Sequence, residues 1–183
     1  MHDRVNHCEG DLILLDAGAE YANYNADLTR TIPVSGRFSK RQKEVYNAVL
    51  RVQRKAMSMM SAGMIYFDYH REVEKFMESE LVKLKLISKA EIRKQKLGQE
   101  AFRKYYYHGT SHMLGLDVHD LGNMHTAMAV GSVWTVEPGI YIKEEGIGIR
   151  LENNVVIRKN GIDDLMKNIP IEADEIEELM NSR

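Results

Sequence analysis

Four carboxylates in this sequence stand where simple patterning would not put them. Asp16 ends the apolar run LILLDAG, Asp27 opens ADLTRTIPV, Glu137 lies within VWTVEPGIYI and Glu152 within IGIRLENNVVI. Apolar, β-branched runs of this kind read as strands that are at least half buried. An ionised carboxylate there costs several kcal/mol unless a cation or strong donors compensate it. Between the two pairs lies HGTSHMLGLDVHD, residues 108–120, with His108, His112 and His119 spaced by four and seven. The embedded Gly109 and Gly115 argue against a regular helix and for a loop-strand that brings backbone close to a site. Separate pairing of each carboxylate with an arginine, such as Arg30 or Arg150, would have to succeed four times. One metal centre with adjacent acid–base groups explains all seven residues together.

The donor types also bear on the ion. Carboxylate-dominated ligation with one imidazole favours a hard ion such as Mn²⁺, while Zn²⁺, Fe²⁺ or Co²⁺ fit the same groups. The four carboxylates sum to four negative charges, which two divalent ions neutralise and one does not. Two ions about 3.5–4 Å apart can bind one bridging water, lower its pKa and polarise a carbonyl at the same time.

The elements that would position these groups follow from periodicity. Residues 11–18 and 26–34 read as two strands joined by a turn at YANYN. Ser39 then precedes a helix carrying Val45, Val49, Val52, Ala56 and Met59 or Met60 on one face and ending at Gly63. A second helix runs from Asp68 to about Leu84, with Val73, Phe76, Met77 and Leu81 on its apolar face. The strand pair recurs near the C-terminus as SVWTVEPGIYI and GIGIRLENNVVI, giving an α+β fold with helices on one face of a sheet. Lysines and arginines between residues 83 and 104 read as a solvated face. The acidic tail EADEIEELM reads as a short helix serving capping and solubility.

Composition narrows the function classes. The 183 residues bound one domain of ordinary size, and 25 Lys+Arg against 27 Asp+Glu leave a net charge of −2, which argues against nucleic acid or an anionic membrane as partner. No apolar run approaches the roughly 18 residues of a membrane helix. The single cysteine, Cys8, cannot form an internal disulfide, and MHDRVNHCEGD lacks a secretory signature. A cytoplasmic setting is expected, with Cys8 a bystander. Ser111 in GTSH lacks the strand-turn-helix context of a nucleophile elbow.

In order, DAGAEYANYNADLTRTIPVSGRFS, HGTSHMLGLDVHD, TVEPGIYI and GIGIRLENNVVI resemble the signature of the pita-bread metallopeptidases, in the Xaa-Pro aminopeptidase (aminopeptidase P) and prolidase branch. The resemblance runs from about Gly10 to the C-terminus. It implies a curved antiparallel sheet with helices on the convex side and a dinuclear site, usually Mn²⁺, in the concavity. It implies hydrolysis of the bond between an N-terminal residue and proline, in a homo-oligomer. Residue by residue, it implies that Asp16 chelates the first metal, that Asp27 and Glu152 bridge both, and that His112 and Glu137 complete the second. Glu137 would also move the proton from the water to the leaving nitrogen. His108 and His119 match substrate-side histidines, and Arg150 matches the arginine beside the last ligand.

Two departures qualify the resemblance. Asn153 and Asn154 stand where an acidic pair commonly follows the final glutamate, which should alter the surroundings of the ligand and not the ligand. The family's catalytic domain begins well before its DAG motif, so residues 1–183 are expected to be the C-terminal, catalytic part of a longer enzyme. Prolidase is the neighbouring reading, though HGTSHMLG is closer to the aminopeptidase pattern; LGLDVHD disfavours methionine aminopeptidase. From another class come a metal-free pita-bread module that binds peptide or protein, and an inactive fragment of the enzyme. Such modules usually lose ligands, whereas all five positions are filled here.

Overall fold

The computed structural model describes residues 10–182, so Cys8, the expected bystander, lies outside the described residues. The chain opens with β1 (Leu12–Ala17), β2 (Glu20–Tyr21), β3 (Tyr24–Asn25) and β4 (Leu28–Pro33). Then come α1 (Lys40–Met59), α2 (Tyr66–Lys83) and the short α3 (Lys89–Lys94). After a long connection follow β5 (Val133–Val136), β6 (Gly139–Ile142), β7 (Ile147–Arg150), β8 (Asn153–Ile157), β9 (Ile162–Asp164) and α4 (Ala173–Asn181).

β1 pairs antiparallel with β4 from Leu12↔Pro33 to Ala17↔Leu28. The expected turn between them is itself a miniature hairpin, β2 on β3, with Ala22 and Asn23 at φ 52° and 68°. Two successive left-handed residues give a turn whose twist matches the flanking strands. At its base Gly18 lies against the returning chain: a Cβ there would sit 1.8 Å from the Ala26 carbonyl oxygen. Only glycine allows β1 to approach the residue before Asp27 this closely.

The C-terminal strands differ from expectation. Residues 132–142 and 146–157, read as two unbroken strands, are each split, at Glu137–Pro138 and at Leu151–Glu152. The register does not slip: Gly139↔Arg150 in β6–β7 continues to Val136↔Asn153 in β5–β8, which sets Glu137 opposite Glu152. The ladder breaks at Pro138, which has no N–H to return to Leu151, while Leu151 N–H reaches the Pro138 carbonyl at a long 3.4 Å. Glu137 N–H donates to the Thr110 carbonyl at 2.8 Å, and Glu152 N–H to the Thr29 carbonyl at 3.0 Å.

Side chains alternate across this hairpin as strand geometry requires. Trp134, Val136, Ile140, Ile142, Ile147, Ile149, Leu151, Val155 and Ile157 are buried in the core, where α1 packs with Val45, Val49, Val52 and Ala56. Glu137, Tyr141, Arg150 and Glu152 occupy the alternate positions. The α+β arrangement therefore has helices on one side of antiparallel strands and its polar groups on the other.

Helix boundaries shift from those expected. α1 begins with a capping box between Ser39 and Gln42, as Ser39 promised. It ends at Met59, short of Gly63, because Met60 turns extended and buries its side chain in the core. Gly63, at φ 90°, serves the following loop. α2 starts at Tyr66 and not at Asp68, since Tyr66 is buried and stacked on Trp134 with ring centroids 5.9 Å apart. The basic stretch is solvated, and three of its cations, Lys83, Arg103 and Lys104, pair with Glu80, Glu100 and Glu144. The acidic tail does more than expected: α4 buries Ala173 and Ile176, and Glu177 accepts from the Phe38 amide and from Lys43.

Gly18→Ala should lower stability by about 1–3 kcal/mol, the usual cost of overpacking a tight site. Chemical denaturation checks this, and an unchanged midpoint would show that the Gly18–Ala26 contact yields freely.

Candidate metal centre

Each candidate ligand arrives on a different piece of the frame. Asp16 stands opposite Thr29 in the β1–β4 ladder, and Asp27 lies two residues before Thr29, so both project to one face. Glu137 and Glu152 face each other at the break in the long hairpin. His112 comes from the loop before β5, tied down by Thr135 N–H to His112 O at 2.9 Å and His112 N–H to Thr135 Oγ1 at 3.0 Å. Ligand atoms of Asp27, His112 and Glu152 lie within 4.8 Å of one another. His112 Nε2 stands 3.5 Å from both Asp27 Oδ2 and Glu137 Oε1. With Asp16, Tyr107, His108, His119, Tyr141 and Arg150 they line a cleft of about 410 Å³.

The structure thus brings all the sequence-read candidates, Asp16, Asp27, His108, His112, His119, Glu137, Arg150 and Glu152, to one cleft, but in unequal settings. Glu152 is 1% exposed, whereas the Asp16 side chain is 47% exposed. The expectation that all four carboxylates are at least half buried holds only narrowly for Asp16, because β1 runs to the open rim. Asp16 is also the one carboxylate with an arginine, the Arg150 guanidinium. Among the described residues Arg30 serves no carboxylate directly. It donates to the carbonyls of Pro170 (2.7 Å), Thr29 (3.0 Å) and Glu152 (2.7 Å) and to Asn153 Oδ1 (2.9 Å). Among the described residues no lysine or arginine forms an ion pair with Asp27, Glu137 or Glu152.

The electrostatics follow from that packing. Burial pushes the Glu152 carboxyl up to about 8, and the nearby Glu137, Asp27 and Asp16 charges push the same way against a hydrogen bond from Thr29. Burial pushes Glu137 up to about 7, opposed by Arg150. Asp27 is raised by burial and then by Asp16. Burial lowers His112 and His108, keeping both imidazoles neutral. His112 Nδ1–H donates to the Met113 carbonyl at 3.0 Å, which leaves its Nε2 lone pair facing the carboxylates. Glu152 Oε2 accepts from Thr29 at 2.6 Å, while its Oε1 is buried with no hydrogen-bond partner among the described residues. An orphaned buried carboxylate oxygen, like-charged neighbours and an aimed imidazole lone pair together fit a divalent cation.

Several groups of the site escape motif reading. Tyr141 O–H donates to His108 Nε2 at 2.9 Å and its oxygen accepts from Arg150 Nη1 at 3.4 Å, while His108 Nδ1–H donates to the Gly109 carbonyl at 2.8 Å. Gly139 makes room for that ring, since a Cβ there would lie 2.6 Å from the Tyr141 hydroxyl. Thr29 Oγ1 accepts from Arg150 Nε at 3.1 Å. Asn154 Oδ1 accepts the Asp27 amide at 3.0 Å, and Asn153 Nδ2 donates to Asp164 at 2.8 Å. Strict alternation was the available signal: Thr29 and Tyr141 share the faces of Asp27 and Glu137.

Antiparallel strands backed by helices, with carboxylates and an imidazole gathered in one cleft, define a carboxylate-rich metalloprotein. More particularly, the chain belongs to Metallopeptidase family M24, which matches residues 2–159. It is 40% identical to the Xaa-Pro aminopeptidase of Haemophilus influenzae over 94% of this chain and 43% of that protein. It is 39% identical to the Xaa-Pro aminopeptidase of Escherichia coli over 98% of this chain and 44% of that protein. The chain thus spans less than half the length of these relatives. Solved structures of zinc-substituted E. coli aminopeptidase P with product, and of that enzyme with the inhibitor Pro-Leu, each superpose with a TM-score of 0.86 at 39% identity. Each comparison covers 94% of this chain, and 41% and 42% of the respective structures. The fold is the pita-bread fold of aminopeptidase P, in its C-terminal portion. Among the described residues no helix is long and apolar enough to cross a membrane.

The raised carboxyls predict a pH dependence. Glu137 and Glu152 titrate near 7 and 8 in the folded, metal-free chain, but at about 4.3 when unfolded. Between those values the folded state binds more protons, so stability falls as pH rises from about 5 to 8, by up to about 1.4 kcal/mol per pH unit per group. Melting in EDTA should show this fall, and Mn²⁺, which binds the ionised carboxylates, should reverse the slope. A flat profile in EDTA would mean that the carboxyls ionise without a cation.

Proposed function

We propose that residues 1–183 are part of the pita-bread catalytic domain of an Xaa-Pro aminopeptidase, hydrolysing the bond between an N-terminal residue and proline. The observation that carries this reading is the opposition of Glu137 and Glu152, with Asp27 and His112 closing on the same point in a cleft. Asp16, Asp27, His112, Glu137 and Glu152 would hold two divalent ions. Mn²⁺ suits this oxygen-rich set best, and Zn²⁺, Co²⁺ or Fe²⁺ fit the same donors. Asp27, His112 and Glu152, whose ligand atoms lie within 4.8 Å of one another, would form the centre of this set. When bound, the ions supply Lewis acidity for the scissile carbonyl and a water made acidic enough to attack at neutral pH.

The chain's own residues manage the protons. A bond to proline is a tertiary amide without an N–H, so its nitrogen must be protonated to leave. Glu137 takes the proton of the attacking water and passes it to that nitrogen, acting as base and then acid. Thr135 Oγ1, 3.3 Å from Glu137 Oε1, steadies the carboxylate. His119 would hydrogen-bond the carbonyl or the proline residue, and His108, whose two ring nitrogens are held by Gly109 and Tyr141, would join it by exchanging one of these partners for substrate. Arg150 neutralises Asp16 and holds Tyr141, and through it the tautomer of His108. No covalent intermediate is needed.

The test combines metal analysis with a peptide assay. The full-length protein that contains these residues, reconstituted with Mn²⁺, should bind two equivalents and release the first residue from Xaa-Pro peptides. Stoichiometric metal with no cleavage of any such peptide would sink the reading. Glu137→Gln should lower kcat by about 10²–10⁴-fold with little loss of melting temperature, and a fully active variant would remove the proton-transfer role of Glu137.

A further inference from the structure

Behind the cleft lies a buried polar chain that the proposed chemistry does not use. His70 on α2 places Nδ1 2.8 Å from Thr110 Oγ1, and Tyr106 places its hydroxyl 2.6 Å from the same oxygen. His70 Nε2 lies 3.2 Å from Glu74 Oε1. Thr110 and Tyr106 are buried, and alongside them Tyr69 meets Ser111 Oγ at 3.2 Å.

Proton counting sets the direction of these bonds. Burial raises the Glu74 carboxyl and Arg103, 3.8 Å away, opposes that rise; as the carboxylate of that ion pair, Glu74 only accepts. His70 therefore carries its proton on Nε2 and donates it to Glu74. Its Nδ1 lone pair accepts from the Thr110 hydroxyl, which in turn accepts from the Tyr106 hydroxyl. Every proton is used once, and the arrangement needs a neutral imidazole; burial pushes His70 down to about 4. The ring is further fixed by stacking on Tyr66, with planes 6° apart.

What this chain holds is the main chain of the site. Thr110 lies midway between His108 and His112, and its carbonyl takes the Glu137 amide proton at 2.8 Å. We propose that His70 is a positioning residue: through the Thr110 hydroxyl it fixes the backbone that places His112 and Glu137, without touching metal or substrate. The kinetic arm of the test rests on the peptidase reading, whereas the metal and spectroscopic arms do not.

His70→Phe keeps a stacking ring but removes the acceptor, and Thr110→Val keeps the shape of threonine but removes the hydroxyl. Both should weaken Mn²⁺ affinity, read by calorimetry, by about 10–100-fold, and lower kcat comparably with little change in KM. His70→Asn, whose Oδ1 takes the place of Nδ1, and Thr110→Ser should stay within about threefold of wild type. Unchanged Mn²⁺ affinity in His70→Phe and Thr110→Val would overturn the proposal, as would equal losses in all four variants, which would signify packing alone. Independently of any variant, nitrogen NMR of the unsubstituted, metal-free chain should show His70 as the Nε2–H tautomer; an Nδ1–H tautomer overturns the proposal. If the wild type binds Mn²⁺ but cleaves no Xaa-Pro peptide, the peptidase reading fails while Mn²⁺ affinity still judges His70.

Discussion

Glu137 and Glu152 face each other across an unslipped hairpin register, with Asp27 and His112 closing on the same point, and the cost of drawing these like charges out of water governs the surrounding architecture. Burial makes each carboxylate costly, and like charges set opposite each other on a strand pair add to that cost. Protons or cations must answer it, which is why the carboxyl pKa values of Glu137 and Glu152 rise to about 7 and 8. The core under the hairpin, from Trp134 to Ile157 and across to α1, supplies the apolar burial that holds the unfavourable arrangement in place.

The hydrogen-bond economy of the site follows the same constraint. Strong donors go to backbone and leave carboxylate oxygens open. Arg30, buried and next to Thr29, spends its guanidinium on three carbonyls and an asparagine. The amides of Glu137 and Glu152 point away from each other, to the carbonyls of Thr110 and Thr29. Of the Glu152 oxygens one meets the Thr29 hydroxyl and the other has no partner among the described residues. A frame that satisfied each carboxylate with its own arginine would be more stable without a cation and less able to bind one. Among the described residues only Asp16, at the solvent-exposed rim, has such a partner.

Much of the site was legible in the chain itself. Charged residues inside β-branched runs mark positions that packing alone does not favour, and three histidines among glycines mark a loop built for close approach. Less legible were the segments that flank this hairpin, because the outward amides of Glu137 and Glu152 go to carbonyls more than 20 and more than 100 residues away. The end of α1 was misplaced for a similar reason: Met60 leaves the helix to fill a core gap that periodicity does not reveal.

By itself, then, the sequence determined the donor types, their order and the strand faces they share, since alternation is a local property of i and i+2 that any extended segment carries. Tertiary structure alone decided that Asp27, His112, Glu137 and Glu152 meet, that Asp16 lies at the rim, that Arg30 serves carbonyls and not carboxylates, and that Thr29, Thr110 and Tyr141 hold the assembly. Those outcomes depend on contacts between segments far apart in sequence. Their register, burial and proton positions come into being only when the two hairpins and the helices close around one core.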